Sequence, residues 1–443
     1  MTLRTMTIWA LVVLLGSRDG SGQESGGIPP AGPGKGGAVT FTRDIAPLVF
    51  QNCVSCHRPG EVAPFPLLSY EDVRKRSKTL LSVVSQRLMP PWKPEPGFGE
   101  FHDARRLSDD QIALFRRWVD AGTPEGEAAL LPPLPKFSEG WQLGEPDLVV
   151  KMPKAFTVPA EGRDVFRCFV IPLNLEDDRS VSVVEFRPGN PKVVHHALFF
   201  LDTTGKAREL EAKEREPGYP SVGGVGFLPS GGLGGWAPGA FPRPLPAGIA
   251  RPLKKGSDLV LQLHLHPTGK PEVEQSTLGI HFSKEPVQKF TFGLPIAWRR
   301  IDIAPGDKAY VARNSFTVPS DIDVIGVTPH AHYLCKEMKA TATLPDGTVR
   351  GLIWIKDWDF NWQGQYLYKE AVHVPKGSRI AFEYTYDNSA ENPRNPSSPP
   401  KRVTFGEQTT DEMAFLFLQI VPRRAADAAL LRLEALRSLQ GRP

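Results

Sequence analysis

Val260-Leu261-Gln262-Leu263-His264-Leu265-His266-Pro267 sets a leucine at every second position and polar or donor residues between them. A period of two is that of a β-strand, whose successive side chains point to opposite faces. The same period recurs in Val181–Arg187, Val194–Leu201, Ala340–Leu344 and Arg379–Tyr386, between Gly, Pro and Asp turns. The 41 glycines and 44 prolines favour turn-rich β structure over long helices. This density of strands predicts two antiparallel β-sandwiches in tandem, over 146–286 and 287–422.

Residues 39–125 read differently. Ser69 can cap a helix running through Leu88, and Ser108 with Gln111 forms a capping box for a helix carrying Ile112, Phe115, Trp118 and Val119. Gly122 and Pro124 stop that helix. The chain is thus expected to be a mixed multidomain protein, a small all-α domain ahead of the sandwiches. Residues 23–38 read as a flexible linker, 126–145 as a Pro-rich linker, and 423–443 as a C-terminal helix. Residues 1–22 carry the marks of a signal peptide: Arg4, the apolar run Ile8–Leu15, then small and polar residues. That predicts a periplasmic or secreted protein, membrane-anchored if the segment is not cleaved. No later segment has the length and apolarity of a membrane span. A net charge of +4 gives no reason to expect nucleic acid.

Cys53-Val54-Ser55-Cys56-His57 is a C-x-x-C-H run. Two thiols one turn apart can each add to a haem vinyl group, and the histidine then meets the iron. A zinc half-site is the alternative, with His102 the one other donor in this region. Met89, before Pro90-Pro91-Trp92, is the one methionine of residues 39–125 and the candidate for the opposite axial ligand. Phe41–Gly122 resembles the small class I-like cytochrome c domains, which implies one covalent haem c on Cys53, Cys56, His57 and Met89.

Eight of the ten histidines lie downstream, and six of those form pairs: His195-His196, His264 with His266, and His330-Ala331-His332. An H-x-H pair on a strand can aim two imidazoles at one ion. An adjacent pair needs a strand end or a bulge. Met413 offers a thioether, which favours Cu(I), so histidines with a methionine read as copper before zinc. Each histidine alone is more often structural, and His281 and His373 default to that role.

The order H-H, Q-x-H (Gln262, His264), H-x-H and Asp411-Glu412-Met413, with Trp236-Ala237-Pro238-Gly239 between, resembles the copper type II, ascorbate-dependent monooxygenases over Pro146–Val421. That family includes the peptidylglycine α-hydroxylating and dopamine β-hydroxylating enzymes. The resemblance implies two jelly-roll sandwiches, each holding one copper, facing across a wet cleft. His195, His196 and His264 would hold the electron-storing copper. His330, His332 and Met413 would hold the copper where O2 and substrate meet. His266 has no counterpart there and is read as a supporting or surface residue.

The peptide-hydroxylating enzymes carry an arginine two residues before H-x-H, and an asparagine and a tyrosine soon after the methionine. Here those positions are Thr328, Phe415 and Phe417. Phenyl rings and a hydroxyl cannot replace a cation and polar anchors, so the substrate expected is less polar than a C-terminal glycine peptide. The implied partners are O2, a small-molecule substrate and an external electron donor, ascorbate or a redox protein. The alternative function is a non-catalytic haem/copper electron-transfer or copper-binding protein. Cys168 and Cys335 are read as two free or buried thiols, with a bridge between them as the other possibility.

Overall fold

The computed structural model describes residues 37–61, 63–138, 140–220 and 224–439. The expected signal peptide and the linker up to residue 36 lie outside the described residues. The regular structure of the described residues is predominantly β-sheet, with few helices.

The helical portion comprises the turn Phe41–Ile45 and helices Ala46–Asn52, Tyr70–Lys75, Ser77–Ser85 and Asp109–Asp120. The single helix expected from Ser69 to Leu88 is in fact two. The chain leaves helical geometry at Arg76, with φ −114° and ψ 9°, and restarts at once. Ser69 with Asp72, and Ser108 with Gln111, both close capping boxes. Phe41, Ile45, Val49, Phe50, Leu80, Phe115 and Trp118 share one core. Trp118 settles its polar edge by donating from Nε1 to Pro124 O at 2.9 Å.

The first sandwich has eight main strands: β1 (Leu148–Lys151), β2 (Val165–Pro172), β3 (Arg179–Arg187), β4 (Val194–Asp202), β5 (Gly231–Trp236), β6 (Ile249–Leu253), β7 (Asp258–Leu265) and β8 (Thr277–Phe282). They form antiparallel sheets in the orders β1-β8-β3-β6 and β2-β7-β4-β5. The second sandwich continues with β9 (Phe292–Ala297), β10 (Tyr310–Thr317), β11 (Ile322–His330), β12 (Cys335–Thr343), β13 (Val349–Ile355), β14 (Tyr366–Val374), β15 (Arg379–Tyr386) and β16 (Phe415–Pro422). Its orders are β9-β16-β11-β14 and β10-β15-β12-β13. Counted from its own first strand, each sandwich is therefore first-eighth-third-sixth over second-seventh-fourth-fifth. No residue repeat betrays this duplication.

Strand β7 shows how the pattern works. Leu259, Leu261, Leu263 and Leu265 point into the first core, with Leu278 and Ile280 of the opposite sheet. Val260, Gln262 and His264 occupy the other face, and they too are buried. Val260 is covered there by Tyr219, Val225 and Ala207. The leucines thus fix the register, and the register fixes where His264 points. The helix Ala428–Leu439 closes the second core with Leu431 and Ala435.

The helical portion, within the residues 39–125 read as one domain, does not pack on itself alone. Its segment 94–102 leaves as an arm and pairs with edge strands of both sheets of the second sandwich. Pro94 bridges Ile355 on β13, and Phe101 bridges Tyr368 on β14. Glu95 N donates to Trp354 O at 2.7 Å, and His102 N to Leu367 O at 2.9 Å. Phe101 enters the second core. Exposed edges are templates for unwanted pairing, and this arm covers two of them.

Candidate metal centre

His196 and His264 are cross-strand partners on β4 and β7. The register shifts between Val194 and His196, so His195 is an extra, bulged residue. The bulge lets two consecutive imidazoles turn to the same side. His195 Nδ1 lies 3.3 Å from His196 Nδ1, which lies 3.4 Å from His264 Nδ1. Such separations match the edges of a tetrahedral site with metal–nitrogen bonds of about 2.0–2.1 Å. Among the described residues, this is the one set of three His, Cys, Asp or Glu donors within 4.8 Å of one another.

The supporting contacts orient each ring. Asp164 Oδ2 takes the Nε2–H of His264 at 3.0 Å, which turns the His264 Nδ1 lone pair inward. Asp164 also meets His266 Nδ1 at 2.6 Å, so His266 supports the site from outside and does not join it. Burial works to raise the Asp164 carboxyl, but hydrogen bonds and charge from His264 and His266 outweigh it and hold the group low. Phe166 stacks on His264 at 4.2 Å, and Phe360 on His195 at 4.6 Å.

The second set starts where β11 ends. His330 Nδ1 faces Gln363 Oε1 at 2.5 Å, and His332 Nδ1 faces Asp411 O at 3.1 Å. Both rings thereby keep Nε2 free, and their centroids are 5.3 Å apart. Strand register pairs His330 with Phe415, and beyond that pair the chain runs on to His332 on one side and back to Met413 on the other. Buried Glu412 joins the two: it accepts from His332 N at 2.8 Å, Leu334 N at 2.6 Å and Met413 N at 3.1 Å. Burial pushes its carboxyl up to about 8 although those N–H groups pull it down.

The two sets are not separated by a wide cleft. His196 and His330 rings are 6.3 Å apart, and Phe360 touches both His195 and His332. The wet cleft implied by the resemblance is thus corrected to one packed histidine cluster. Burial, reinforced by the crowding of like groups, pulls His195 down to about 3; burial and the nearby His264 take His330 to about 4. His196 and His332 fall well below the ordinary value for the same reasons. All are neutral donors at pH 7, the form a metal requires.

Sequence reading missed Asp164, Gln363, Phe360 and Glu412 as supports. Only Glu412 stood inside a recognised motif. It also missed Arg299, whose guanidinium lies 6.0 Å from the Phe415 ring. Phe415 and Phe417 stack at 5.3 Å and pair in register with His330 and Thr328. His281 pairs with Glu185 at 3.2 Å and His373 with Asp323 at 3.2 Å, both structural contacts. Cys168 and Cys335 are buried and form no disulfide, and Cys335 belongs to the second core.

In the helical portion, Cys53 and Cys56 are free thiols in the turn after Ala46–Asn52. Burial pushes the Cys53 thiol up to about 12. His57 Nδ1 meets Phe65 O at 3.1 Å, which leaves Nε2 open, as an axial ligand needs. Met89 is half-buried in a small recess lined by Val84, Arg87, Trp92, Leu107 and Ile112, whose walls include none of Cys53, Cys56 and His57. No zinc-type set of four forms around the thiols among the described residues.

No family model matches the chain, and comparison with curated proteins gives no match. Solved structures that overlap it include the major capsid protein P2 of bacteriophage PM2, at 8% identity over 58% of this chain and 97% of that one, with a TM-score of 0.25. The VP2 subviral particle of infectious bursal disease virus overlaps at 10% identity, over 62% of this chain and 79% of that one, with a TM-score of 0.18. PNGF-II overlaps at 9% identity over 61% and 60%, with a TM-score of 0.22. At such scores the likenesses carry neither fold nor function to this chain. Among the described residues no helix has the length and apolarity to cross a membrane.

Proposed function

We propose that the chain is a copper-dependent monooxygenase of the type II, ascorbate-dependent kind, exported and preceded by a c-type cytochrome domain, that hydroxylates an organic substrate with O2. The observation that carries this reading is the convergence of three Nδ1 atoms at 3.3 and 3.4 Å beside a second histidine pair. The strand order of both sandwiches supports it, since eight strands arranged in this way form a jelly roll.

Copper bound by the two sets supplies one-electron chemistry and O2 activation, and haem c supplies or relays single electrons, with ascorbate or a redox protein as the outside source. His195, His196 and His264 hold three neutral nitrogens in fixed geometry, and Asp164 keeps His264 in the right tautomer. His330 and His332 present Nε2, with Met413 as the sulfur donor. Phe360 packs against one ring of each set, where it would keep water out. Phe415 and Phe417 offer the substrate a flat apolar shelf beside the second set, and Arg299 places a cation at its rim.

Full-length protein carrying copper and haem, given ascorbate and labelled O2, should convert an aromatic or apolar member of a substrate panel to a product bearing one labelled oxygen. A glycine-extended peptide should not be turned over. Oxygen uptake without product from any substrate would favour a non-catalytic haem/copper electron carrier. One observation already speaks for that second reading: His264 and His332 are only 2% and 3% exposed.

A further inference from the structure

Residues 356–365 form the loop that joins β13 to β14, and so cross from one sheet of the second sandwich to the other. The loop touches three histidines. Gln363 Oε1 accepts from His330 Nδ1 at 2.5 Å, and Trp358 Nε1 donates to His332 O at 3.1 Å. Phe360 packs on the His195 and His332 rings. Gln363 Nε2 also donates to Phe360 O at 3.1 Å, which ties those two residues to each other.

The same loop is held by the helical portion. Lys93, only 7% exposed, donates to Asp357 Oδ2 at 3.0 Å and lies 4.0 Å from Asp359. Trp92 meets the Tyr366 ring edge-on at 5.4 Å. Tyr366 in turn lies so close on Gly364 that an added Cβ there would fall 2.5 Å from its Cζ. Both stems of the loop are pinned as well. The arm pairs with Ile355 where the loop leaves, and with Leu367 and Tyr368 where it returns. Burying an ammonium group is costly even when it is paired, and the arm's backbone pairings cover the two edges without one. What Lys93 adds is a fixed place for Asp357 and Asp359, which flank Trp358 and precede Phe360.

The hydrogen bond on one ring nitrogen of a histidine sets which nitrogen is left for a metal and how the ring is turned. We propose that Trp92 and Lys93 are positioning residues for the second histidine set. They hold the loop through which Trp358, Phe360 and Gln363 aim His330 and His332, so that this set is complete only with the helical portion docked. As a statement about copper, this rests on the function proposed above. Neither residue touches the metal or the substrate.

The test compares wild type with Trp92→Ala, Trp92→Phe and Lys93→Met in the full chain. Metal-free protein with nitrogen-15 in its histidines reads the rings by NMR before any copper is added. His330 of wild type should carry its proton on Nδ1. In Trp92→Ala and Lys93→Met it should become a mixture of tautomers, while His264, held by Asp164, stays as it was. Under chelator competition the second-set copper should then bind about 10-fold more weakly, and the first-set copper should weaken less. Trp92→Phe keeps an aromatic edge on Tyr366 and should stay near wild type. Variants that lose unfolding free energy but keep the His330 tautomer and the second-set affinity would overturn the proposal, because a merely structural anchor behaves so. Wild type without copper in the second set removes the copper reading, and the His330 signals still decide this one. If Lys93→Met fails to fold, Asp357→Ala, at a side chain 60% exposed, removes the same contact and gives the same readouts.

Discussion

His264 is gripped at both ends: Asp164 takes its Nε2–H, and its Nδ1 faces His196. Removing the ring and removing its support should therefore differ in kind. His264→Ala deletes a donor from the first set, so copper per chain should drop from two to one while covalent haem is unchanged, as metal analysis and the haem spectrum would show. Asp164→Asn keeps the donor and loosens it. Supports of this kind are typically worth about 10–100-fold in metal affinity, so chelator competition should show a weakening of that order without loss of stoichiometry. An unchanged affinity would demote Asp164 to a packing residue.

At the level of elements, the second set depends on a loop laid against a strand end. Glu412 accepts from three backbone N–H groups, of which two, at His332 and Leu334, tie its loop to residues 332–334 and the third is that of Met413. Glu412→Ala would strand them in a buried place, at about 1–3 kcal/mol for each unmet donor. Denaturant unfolding should thus show a loss of at least roughly 3 kcal/mol. A loss below about 1 kcal/mol would mean the loop re-forms its bonds elsewhere. Much of this level could be read beforehand. The leucine alternation of Leu259–Leu265 places His264 on the outer face, and adjacent His195-His196 calls for the bulge found there. Asp164, Gln363 and Phe360 could not be read, because they reach the histidines across long stretches of chain and no local period marks them. The break at Arg76 was equally silent, since the apolar spacing runs through it.

Over the whole molecule, the arm at residues 94–102 locks the helical portion to the second sandwich. It has no strand-like alternation, so its two edge pairings emerge only from the folded chain. The same holds for the closeness of the two histidine sets, which is set by how the sandwiches pack. Phe101 is the arm's anchor in the second core. Phe101→Ala should cost about 3–5 kcal/mol, read by denaturant unfolding. Limited proteolysis should then cut within 94–102, where wild type resists. Resistance equal to wild type would show that the backbone pairing holds the arm without its anchor.

Copper in both histidine sets, the second with a sulfur donor, is what the proposed chemistry requires. Copper-edge X-ray absorption on the reduced full-length protein tests it most directly, with metal content measured on the same sample. The expected result is two coppers per chain, imidazole around both, and a copper–sulfur component that disappears in Met413→Leu while the first-set signal stays. Protein that binds zinc in preference, or reduced copper with no sulfur component in wild type, would contradict it.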